Sequence, residues 1–388
     1  MRLAMVGRYY NRQGGVSRVL AELSDRAVVD HDVDVYAHEV LDAAPGTKVR
    51  FVEVPMRERP SILQLPTFAR GVQRRLVPAD YDIVHSHDGQ ARRADVQTAH
   101  SCYAAWLDDV RRGAGVKGLL SRVYPRHVLT DRWERAALGG DQVVVAISRV
   151  VAHELETFLG IDPARIRVIH NGVDIDTFTP PPSRAAARAA LPPDERPADD
   201  EAMLLFAGMY FRRKGLEPLL RALAGLRDAP WGLTVVGGDD AAPFRALADE
   251  LGIGAKVRFT GHRPRIAPYF QAADAFVFPT AYEPFGLVIT EALACGTPVI
   301  TTATAGGAEL MQEGRDGLLL RDPHDPAEIR AAVERFLALD DDARARMGAA
   351  AREAVVATSW DAQWKKYETL FGEVAENKRA ARPLWATA

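Results

Sequence analysis

The sequence predicts an α/β protein made of two doubly wound parallel-sheet domains. Short apolar strand patterns alternate with amphipathic helical patterns along the chain, as β-α-β units require. The length of 388 residues suits two hydrophobic cores better than one. A proline-, alanine- and arginine-rich segment at about 175–200 separates the two halves and is expected to connect them. We therefore predict domains at 1–175 and 176–360, and a helix and tail at 361–388 that return to the first domain.

The strands of the first half are predicted from short apolar runs. They lie at 3–6, 33–37, 83–85 and 143–147, with a further candidate at 96–99. A helix starting near Val16 connects the first two, because one apolar face recurs at the spacing i, i+3, i+4, i+7. That face consists of Val16, Val19, Leu20 and Leu23. The alternation predicts a parallel sheet with helices covering it.

The second half repeats this alternation more regularly. Strands are predicted at 203–207, 233–236, 257–259, 275–278 and 298–301, with a helix at 244–251. A further helix begins at Asp325 and Pro326, a capping side chain followed by proline at the first helical position. The pattern at 360–373 predicts a last helix, and the tail beyond it is expected to be loose. In both halves, ligands are expected at the carboxyl ends of the strands, in a cleft between the two domains.

Composition narrows the class of protein. Hydrophobic residues make up 47% and charged residues 26%, which is typical of a globular domain, and the net charge is −3. The two cysteines, Cys102 and Cys295, provide neither a disulfide framework nor a zinc site, which favours a reducing cytosol. No apolar run approaches the ~20 residues that span a bilayer, and the first run is too short for a signal peptide. We expect a cytoplasmic protein without a nucleic-acid partner.

Basic residues cluster twice in the first half. The members are Arg57, Arg59, Arg70, Arg74 and Arg75, and then Arg111, Arg112, Lys117, Arg122 and Arg126. They are compatible with ordinary solvated helix faces. They are equally compatible with a surface that meets an anionic acceptor or the inner face of the plasma membrane, with Trp106, Leu119 and Leu120 lying between them. Both interpretations stay open.

Two glycine-containing segments follow predicted strands. Gly14 and Gly15 precede the first helix, where paired glycines let a ligand approach the backbone and the helix N-terminus offers free N–H groups to an anion. Arg212, Arg213 and Lys214 precede Gly215 after the first strand of the second half, a position suited to a diphosphate. Taken alone, either segment is also compatible with an ordinary turn or an exposed charged loop.

Two glutamates follow the very apolar strand at 275–278. Glu283 lies in the loop, and Glu291 lies on a helix that starts near Phe285 or Gly286. The amides at that helix start can bind phosphate or sugar hydroxyls. Carboxylates accept hydrogen bonds from neighbouring hydroxyls, so each glutamate can hold one sugar ring. Two ordinary helix glutamates are the simpler alternative, which the apolar surroundings of Glu291 disfavour because an unpaired buried charge is costly.

Three histidines form a further candidate group: His85, His87 and His100. A metal site is one interpretation, since two alternating histidines can supply two ligands, but no Cys, Asp or Glu at matched spacing completes it. His85 is expected to be structural. His87 and His100 are expected to lie at the ligand-binding edge and to hydrogen-bond substrate.

Together these motifs resemble retaining glycosyltransferases of family 4, which have the GT-B fold of two Rossmann-like domains facing each other across a cleft. The resemblance includes the two glutamates eight positions apart with their Glu-Pro-Phe-Gly-Leu string, and it extends over nearly the whole chain. The other matching segments are 14–15, 82–87, 170–174, 213–215, 273–279 and 296–300. Segments 98–104 and 211–215 are most similar to lipopolysaccharide-core glucosyltransferases.

The resemblance implies a role for each matching residue. Arg213 and Lys214, with Arg212 as a further candidate, bind the donor diphosphate and stabilise the leaving group. Gly15 offers its N–H to a phosphate oxygen, and Glu291 holds the ribose. Glu283 positions the transferred sugar together with the amides of Phe285, Gly286 and Leu287, and His100 contacts the sugar near the reacting carbon.

The resemblance also implies the chemistry. Family members need no metal and no other cofactor beside the nucleotide-sugar co-substrate, by family frequency a UDP-sugar. They retain anomeric configuration by a front-face reaction in which a donor phosphate oxygen takes the acceptor proton. Asp174 and Asp176 resemble the metal-binding pair of another glycosyltransferase fold, but they follow Asn171 and Gly172 at the domain exit, so we reject that role. Many relatives carry arginine where Met209 stands here, which leaves the diphosphate to Arg213, Lys214 and Arg212.

The acceptor is expected to be a hydroxyl of a cell-envelope glycan or of a lipid-linked acceptor. A small-molecule metabolite is an alternative acceptor, and a nucleotide-sugar epimerase is an alternative enzyme on the same fold. A glucan phosphorylase would need a much longer chain. A non-catalytic nucleotide-sugar binding module is disfavoured because His100, Arg213, Lys214 and both glutamates are all present.

Overall fold

The computed structural model describes residues 1–113 and 125–386, and its chain divides into two compact units. Unit 1 comprises Met1–Gly172 and Trp360–Ala388, and unit 2 comprises Val173–Ser359. The divisions therefore fall at 172 and 359, where the sequence placed them at 175 and 360. Lys117, Leu119, Leu120 and Arg122 of the second basic cluster lie outside the described residues.

Unit 1 is built on a seven-stranded parallel sheet. Its strand order is β5-β3-β1-β6-β7-β8-β9, beside a two-stranded pair of β2 and β4. The strands are β1 (Arg2–Val6), β2 (Tyr9–Tyr10), β3 (Asp32–Ala37), β4 (Glu39–Val40), β5 (Arg50–Glu53), β6 (Ile83–His87), β7 (Val96–Ala99), β8 (Val143–Ala146) and β9 (Ile166–Val168). The five predicted strands are confirmed, and the edge strands β5 and β9 were not predicted.

Helices cover this sheet, and the first of them begins where the periodicity predicted a helix. They are α1 (Gly15–Asp30), α2 (Gln64–Arg75), α3 (Tyr103–Gly113), α4 (Pro125–Leu138) and α5 (Arg149–Glu154). Helix α1 buries the predicted apolar face through Val19, Leu20 and Leu23. Ser148 caps α5 by accepting a hydrogen bond from the Val151 amide at 3.1 Å. A π-helical turn, Leu155–Leu159, continues α5 and ends at Gly160.

Unit 2 is a second doubly wound domain on a six-stranded parallel sheet of order β12-β11-β10-β13-β14-β15. The strands are β10 (Ala202–Ala207), β11 (Trp231–Val236), β12 (Val257–Gly261), β13 (Ala275–Phe278), β14 (Val299–Thr302) and β15 (Gly317–Leu320). Every residue of β10, β11, β13 and β14 is buried, as parallel strands covered on both faces require. Five strands were predicted and are confirmed, whereas β15 was missed.

The helices of unit 2 alternate with its strands. They are α6 (Arg184–Ala189), α7 (Leu216–Ala224), α8 (Ala242–Glu250), α9 (Ala267–Ala272), α10 (Leu287–Ala294), α11 (Pro326–Leu337) and α12 (Asp341–Val356). Asp325 caps α11 as predicted, with its Oδ1 accepting from the Ala327 amide at 2.9 Å. A short 3-10 helix, Gly306–Leu310, follows β14.

The predicted connection at about 175–200 is part of unit 2 rather than an irregular linker. It contains α6, whose Arg184 is largely buried and donates to the Gly296 carbonyl at 2.9 Å. Arg188 donates to the Asp274 carboxylate at 2.5 Å. Two buried guanidiniums thus fix this segment on the domain, which proline and alanine content did not reveal.

The last helix, α13 (Trp360–Arg379), packs on α1 in unit 1. Arg26 donates to Asp361 at 2.5 Å, and His31 is hydrogen-bonded to Glu368 at 2.9 Å. The expectation of a loose tail is wrong for the described residues, because Asn377 donates to the Ala386 carbonyl at 2.8 Å. Among the helices within 1–113 and 125–386, none is long and apolar enough to cross a membrane.

Candidate functional site

The predicted site residues form one group in each unit, at the carboxyl ends of the strands. Unit 2 holds the larger group, on the loop after β10 and the loop after β13. Unit 1 holds Gly14, Gly15 and His100 after β1 and β7. Each group is described by itself.

Gly215 fixes the loop between β10 and α7. Its φ is +83°, in the left-handed region, and a Cβ there would stand 1.9 Å from the Pro279 carbonyl oxygen. Only glycine allows this approach. The loop carrying Arg212, Arg213 and Lys214 therefore packs directly against Pro279, which follows β13. The carboxyl ends of the neighbouring strands β10 and β13 are thus in contact through their loops.

Within this loop the three cations behave differently. Arg212 has a 78% exposed side chain and pairs with Glu217 of α7 at 3.1 Å. Arg213 instead donates from Nη1 to the Tyr282 carbonyl at 2.9 Å. Lys214 is only 8% exposed and binds the Glu283 carboxylate. The structure therefore brings Arg213, Lys214 and Glu283 together, whereas Arg212 points to Glu217 on the following helix.

The Lys214 ammonium is buried in a mixed environment. Its Nζ lies 5.2 Å from the centre of the Phe278 ring. Burial, and secondly the neighbouring Arg213, lower the pKa of Lys214 well below its ordinary value. The Glu283 carboxylate opposes this by stabilising the charged form. A bound diphosphate would favour the ammonium in the same way, because it adds negative charge beside a desolvated cation.

The loop after β13 is held by backbone hydrogen bonds to the Gly306–Leu310 turn. The Glu283 carbonyl accepts from the Gly306 amide at 2.9 Å, and the Phe285 carbonyl accepts from the Gly307 amide at 2.5 Å. The Phe285 side chain is 2% exposed and anchors the loop. Gly286, with φ +82°, caps α10, which begins at Leu287. The Ile289 amide donates to the Gly286 carbonyl at 2.9 Å, whereas the amides at the very start of α10 are suited to bind oxygen atoms of a ligand.

Glu291 lies on α10 as predicted and is 5% exposed. Burial is the main cause that raises the pKa of the Cys295 thiol to about 12, and the charge of Glu291 is the second. The two glutamates thus differ in setting: Glu283 is neutralised by Lys214, and Glu291 lies in the apolar helix beside a thiol. Because Glu283 is in an ion pair with Lys214, it would have to break that contact before acting as a base or a nucleophile.

The three histidines of unit 1 form a buried cluster at the ends of β6 and β7. His87 Nδ1 lies 2.8 Å from His100 Nε2, and His85 Nε2 lies 2.7 Å from the Thr98 hydroxyl. Burial is the first cause that lowers the pKa of all three rings, bringing that of His85 to about 3. They are therefore neutral near pH 7. His100 is suited to hydrogen bonding rather than to supplying positive charge.

The glycine pair of unit 1 divides into two roles. Gly14 donates its N–H to Asn11 Oδ1 at 3.1 Å, and its carbonyl accepts from the Arg18 amide. Gly15 is the first residue of α1, and a Cβ there would meet no atom within 4 Å. Because its amide belongs to the first helical turn, Gly15 can offer it to an anion.

Three supporting residues were missed by the sequence analysis. Asp88 accepts the His100 amide at 2.9 Å, Asp239 accepts the Phe211 amide at 2.8 Å, and the Tyr282 carbonyl receives Arg213. Asp88 directly follows the histidine motif, so its position next to a strand end was a usable signal. The other two depend on tertiary contacts.

Across the part of the chain that the structure describes, no three His, Cys, Asp or Glu side chains are grouped to hold a metal ion. Asp174 Oδ1 accepts from the amides of Asp176 and Thr177, at 3.2 and 3.0 Å, so its carboxylate closes a turn. This local role fits the rejection of that pair as a metal motif.

The first basic cluster is exposed, at Arg57, Arg59, Arg70, Arg74 and Arg75. Membrane contact through it stays a prediction.

Two family models match this chain, one in each half. The family model described as Glycosyltransferase Family 4 matches residues 13–177, and that described as Glycosyl transferases group 1 matches residues 188–354. D-inositol 3-phosphate glycosyltransferase of Xylanimonas cellulosilytica is 33% identical, over 90% of this chain and 89% of its own length. D-inositol 3-phosphate glycosyltransferase 2 of Catenulispora acidiphila is also 33% identical, over 95% of this chain and 92% of its own.

Solved structures agree on the fold. WaaG, a glycosyltransferase involved in lipopolysaccharide biosynthesis, superposes with a TM-score of 0.80 at 24% identity, covering 95% of this chain and 99% of its own. Anabaena HepE in complex with UDP-glucose gives a TM-score of 0.70 at 19% identity, covering 96% and 100%. At these identities the likeness concerns architecture.

Proposed function

Because the chain belongs to glycosyltransferase family 4, with the GT-B fold, it is a transferase that uses nucleotide sugars, and we propose that its donor is a UDP-hexose. The observation that carries this proposal is the meeting of Arg213, Lys214 and Glu283 at the carboxyl ends of β10 and β13, beside the N-terminus of α10. This arrangement combines cations for a diphosphate with a carboxylate for sugar hydroxyls. The UDP-glucose complex of HepE, which shares the fold, supports the choice of base.

Each group has a distinct role in the proposed donor site. Arg213 and Lys214 neutralise the diphosphate and stabilise the charge that develops on it as the glycosidic bond breaks. Glu283 and the amides at the start of α10 hold the hexose, and Glu291 accepts from the ribose hydroxyls. The hydrogen bond from Arg213 to the Tyr282 carbonyl fixes the guanidinium before the donor arrives. Such preorganisation avoids a cost of ordering the side chain during reaction.

We propose that the reaction retains anomeric configuration by a front-face path. The bond between the sugar anomeric carbon and the donor phosphate oxygen breaks, and UDP leaves with the electron pair. The acceptor oxygen forms its bond on the same face, and its proton passes to a phosphate oxygen of the leaving UDP. Neutralisation of Glu283 by Lys214 supports this path, because a carboxylate held by an ammonium is a weak nucleophile and a weak base. No metal takes part in this scheme.

The acceptor is proposed to be a hydroxyl of a cell-envelope glycan or a lipid-linked glycan. A small phosphorylated polyol is a second candidate, favoured by the two inositol-phosphate glycosyltransferases at 33% identity. We place the reaction in the cytoplasm. The two cysteines are both buried free thiols, which fits a reducing compartment.

One experiment addresses donor, acceptor and stereochemistry. Purified protein is incubated with UDP- and GDP-hexoses, first alone and then with inositol phosphate or a lipid-linked glycan, and the products are examined by proton NMR. The proposal expects slow UDP release without acceptor and an α-linked product from an α-linked donor. An inverted product would contradict the front-face path. Conversion of the donor sugar to its epimer without transfer would identify an epimerase instead.

A further inference from the structure

A surface cavity of unit 1 has no role in the proposed donor site. Its volume is about 600 Å³, within the range of about 300–1,000 Å³ typical of small-molecule sites. The cavity lies between α2 and α4 and above residues 91–93. None of its lining residues belongs to the predicted catalytic or donor-binding set.

The topology explains why the cavity exists. Parallel neighbouring strands are normally connected through a helix that covers the sheet. Strands β6 and β7 are instead connected by residues 88–95 alone, which contain no helix. Residues 88–95 therefore place no helix between the flanking helices α2 and α4. The resulting space is a consequence of the short connection.

The floor of the cavity is apolar. Ala69 and Val72 of α2 are buried there, together with Leu76 directly after α2 and Ala91 of the short connection. Trp133 and Ala136 of α4 form the opposite wall. Trp133 is fixed by a hydrogen bond from its Nε1 to the Gly89 carbonyl at 3.0 Å. This lining suits a hydrocarbon chain.

The rim of the cavity is cationic. Arg70, Arg92 and Arg93 line it and are exposed. Within residues 1–113 and 125–386, these three side chains form no ion pair with an acidic group. Arg92 lies over the Trp133 ring, 5.5 Å from its centre. Three unneutralised guanidiniums beside an apolar floor fit a phosphate, which guanidiniums bind in bidentate fashion.

We propose that this cavity binds a lipid phosphate, that is, an anionic phosphomonoester carried on a hydrocarbon chain. The arginines bind the phosphate and the apolar floor holds the first part of the chain. This inference does not depend on the proposed donor or acceptor, because the cavity lies in unit 1 and shares no residue with the donor group. It gives part of the first basic cluster a defined ligand.

The test measures binding of a short-chain phosphatidic acid, kept below its micelle concentration, to the full chain by calorimetry. Inorganic phosphate and the matching short-chain phosphatidylcholine are the comparison probes. We expect phosphatidic acid to bind at least about tenfold more tightly than either, because only it offers both a doubly charged phosphate and a chain. No detectable binding of phosphatidic acid, or equal binding of inorganic phosphate, would overturn the proposal.

Variants locate the binding. The double variant Arg70→Ala/Arg93→Ala is expected to weaken phosphatidic acid binding about tenfold or more. Ala136→Trp, which fills the cavity without changing charge, is expected to weaken it similarly. The control Arg59→Ala/Arg74→Ala removes two exposed arginines that do not line the cavity and is expected to leave binding within about twofold. Thermal unfolding and UDP release are measured for each variant to verify folding.

Two results would contradict the assignment. Equal loss in the control variant would mean diffuse attraction by the basic surface, and tight binding by Ala136→Trp would mean an anion site without a chain pocket. If a second copy of the chain occupied the cavity, sedimentation would detect a concentration-dependent dimer that Ala136→Trp abolishes. That outcome too would overturn the lipid assignment.

Discussion

Lys214 and Arg213 are neighbours in sequence but interact with different partners. Lys214 binds the Glu283 side chain, and Arg213 binds the Tyr282 backbone. Both contacts connect the loop after β10 with the loop after β13. The third cation, Arg212, is turned to Glu217 and solvent. The run of three basic residues predicted a cationic loop. Only the tertiary contacts distinguish Arg213 and Lys214, which bind the neighbouring loop, from Arg212, which does not.

This difference predicts unequal effects of neutralising the two arginines. Arg213→Ala should lower kcat/KM for the UDP-sugar about 100-fold, because it removes a preorganised charge at the diphosphate. For Arg212→Ala, kcat/KM should stay within about threefold of that of the unaltered chain, since the Arg212 side chain is exposed and its pair with Glu217 is open to solvent. Steady-state UDP release by the two variants makes the comparison. A larger loss in Arg212→Ala than in Arg213→Ala would reverse the assignment.

The lowered pKa of Lys214 predicts a pH effect on donor binding. Above its pKa the lysine is neutral and attracts a diphosphate less, so the Kd for UDP should already rise with pH over a range below about pH 10, where an ordinary lysine titrates. Lys214→Arg keeps its charge over this range, so the same titration should be flat for that variant. Titrations of both proteins with UDP test this. If the Kd for UDP rose equally with pH in the unaltered chain and in Lys214→Arg, the effect would belong to another group.

The loop after β10 depends on one glycine for its shape. Gly215 combines a left-handed backbone with the closest approach to Pro279, so Gly215→Ala should lower the free energy of unfolding by about 3 kcal/mol and weaken UDP binding. Gly252 provides the matched control, because its φ is +72° but a Cβ there meets no atom within 4 Å. Gly252→Ala should cost only about 1 kcal/mol and leave UDP binding unchanged.

Urea unfolding of both variants, followed by UDP titration, separates the two contributions. Equal destabilisation would show that backbone conformation alone, and not contact with Pro279, fixes this loop.

The elements that sequence reasoning missed share physical features. Strand β5 is half exposed and reads Arg50-Phe-Val-Glu, and β9 has three residues, so neither has a clear apolar run. Such edge strands are stabilised by pairing with β3 and β8 rather than by their own pattern. Strand β15 is different, because the apolar run Gly317–Leu320 is a strand pattern that the sequence itself shows.

At the scale of the whole molecule, the sequence was sufficient to predict two parallel-sheet domains and the strand ends at which the candidate site residues lie. Glu283, Glu291, Arg213 and Lys214 lie on the predicted loops and helix. The pairing of Lys214 with Glu283, 69 positions apart, required the neighbouring positions of β10 and β13 in the sheet. Strand order is not contained in local patterns, so this ion pair could not be predicted from spacing alone.

The folded tail shows the same limit. Asn377 donates to the Leu384 and Ala386 carbonyls, and Arg167 of β9 donates to the Trp385 carbonyl at 3.1 Å. An isolated polar residue on a helix gave no reason to expect an ordered segment after it.

The central claim is that a nucleotide sugar is held and activated by the Lys214–Glu283 pair, and one measurement tests it most directly. The rate of UDP release from a UDP-hexose is compared for the unaltered chain, Glu283→Ala and Lys214→Ala, with Arg212→Ala as the control. The account predicts losses of about 100-fold or more in the first two variants and near-normal release in the control. Near-normal rates in both Glu283→Ala and Lys214→Ala would contradict it.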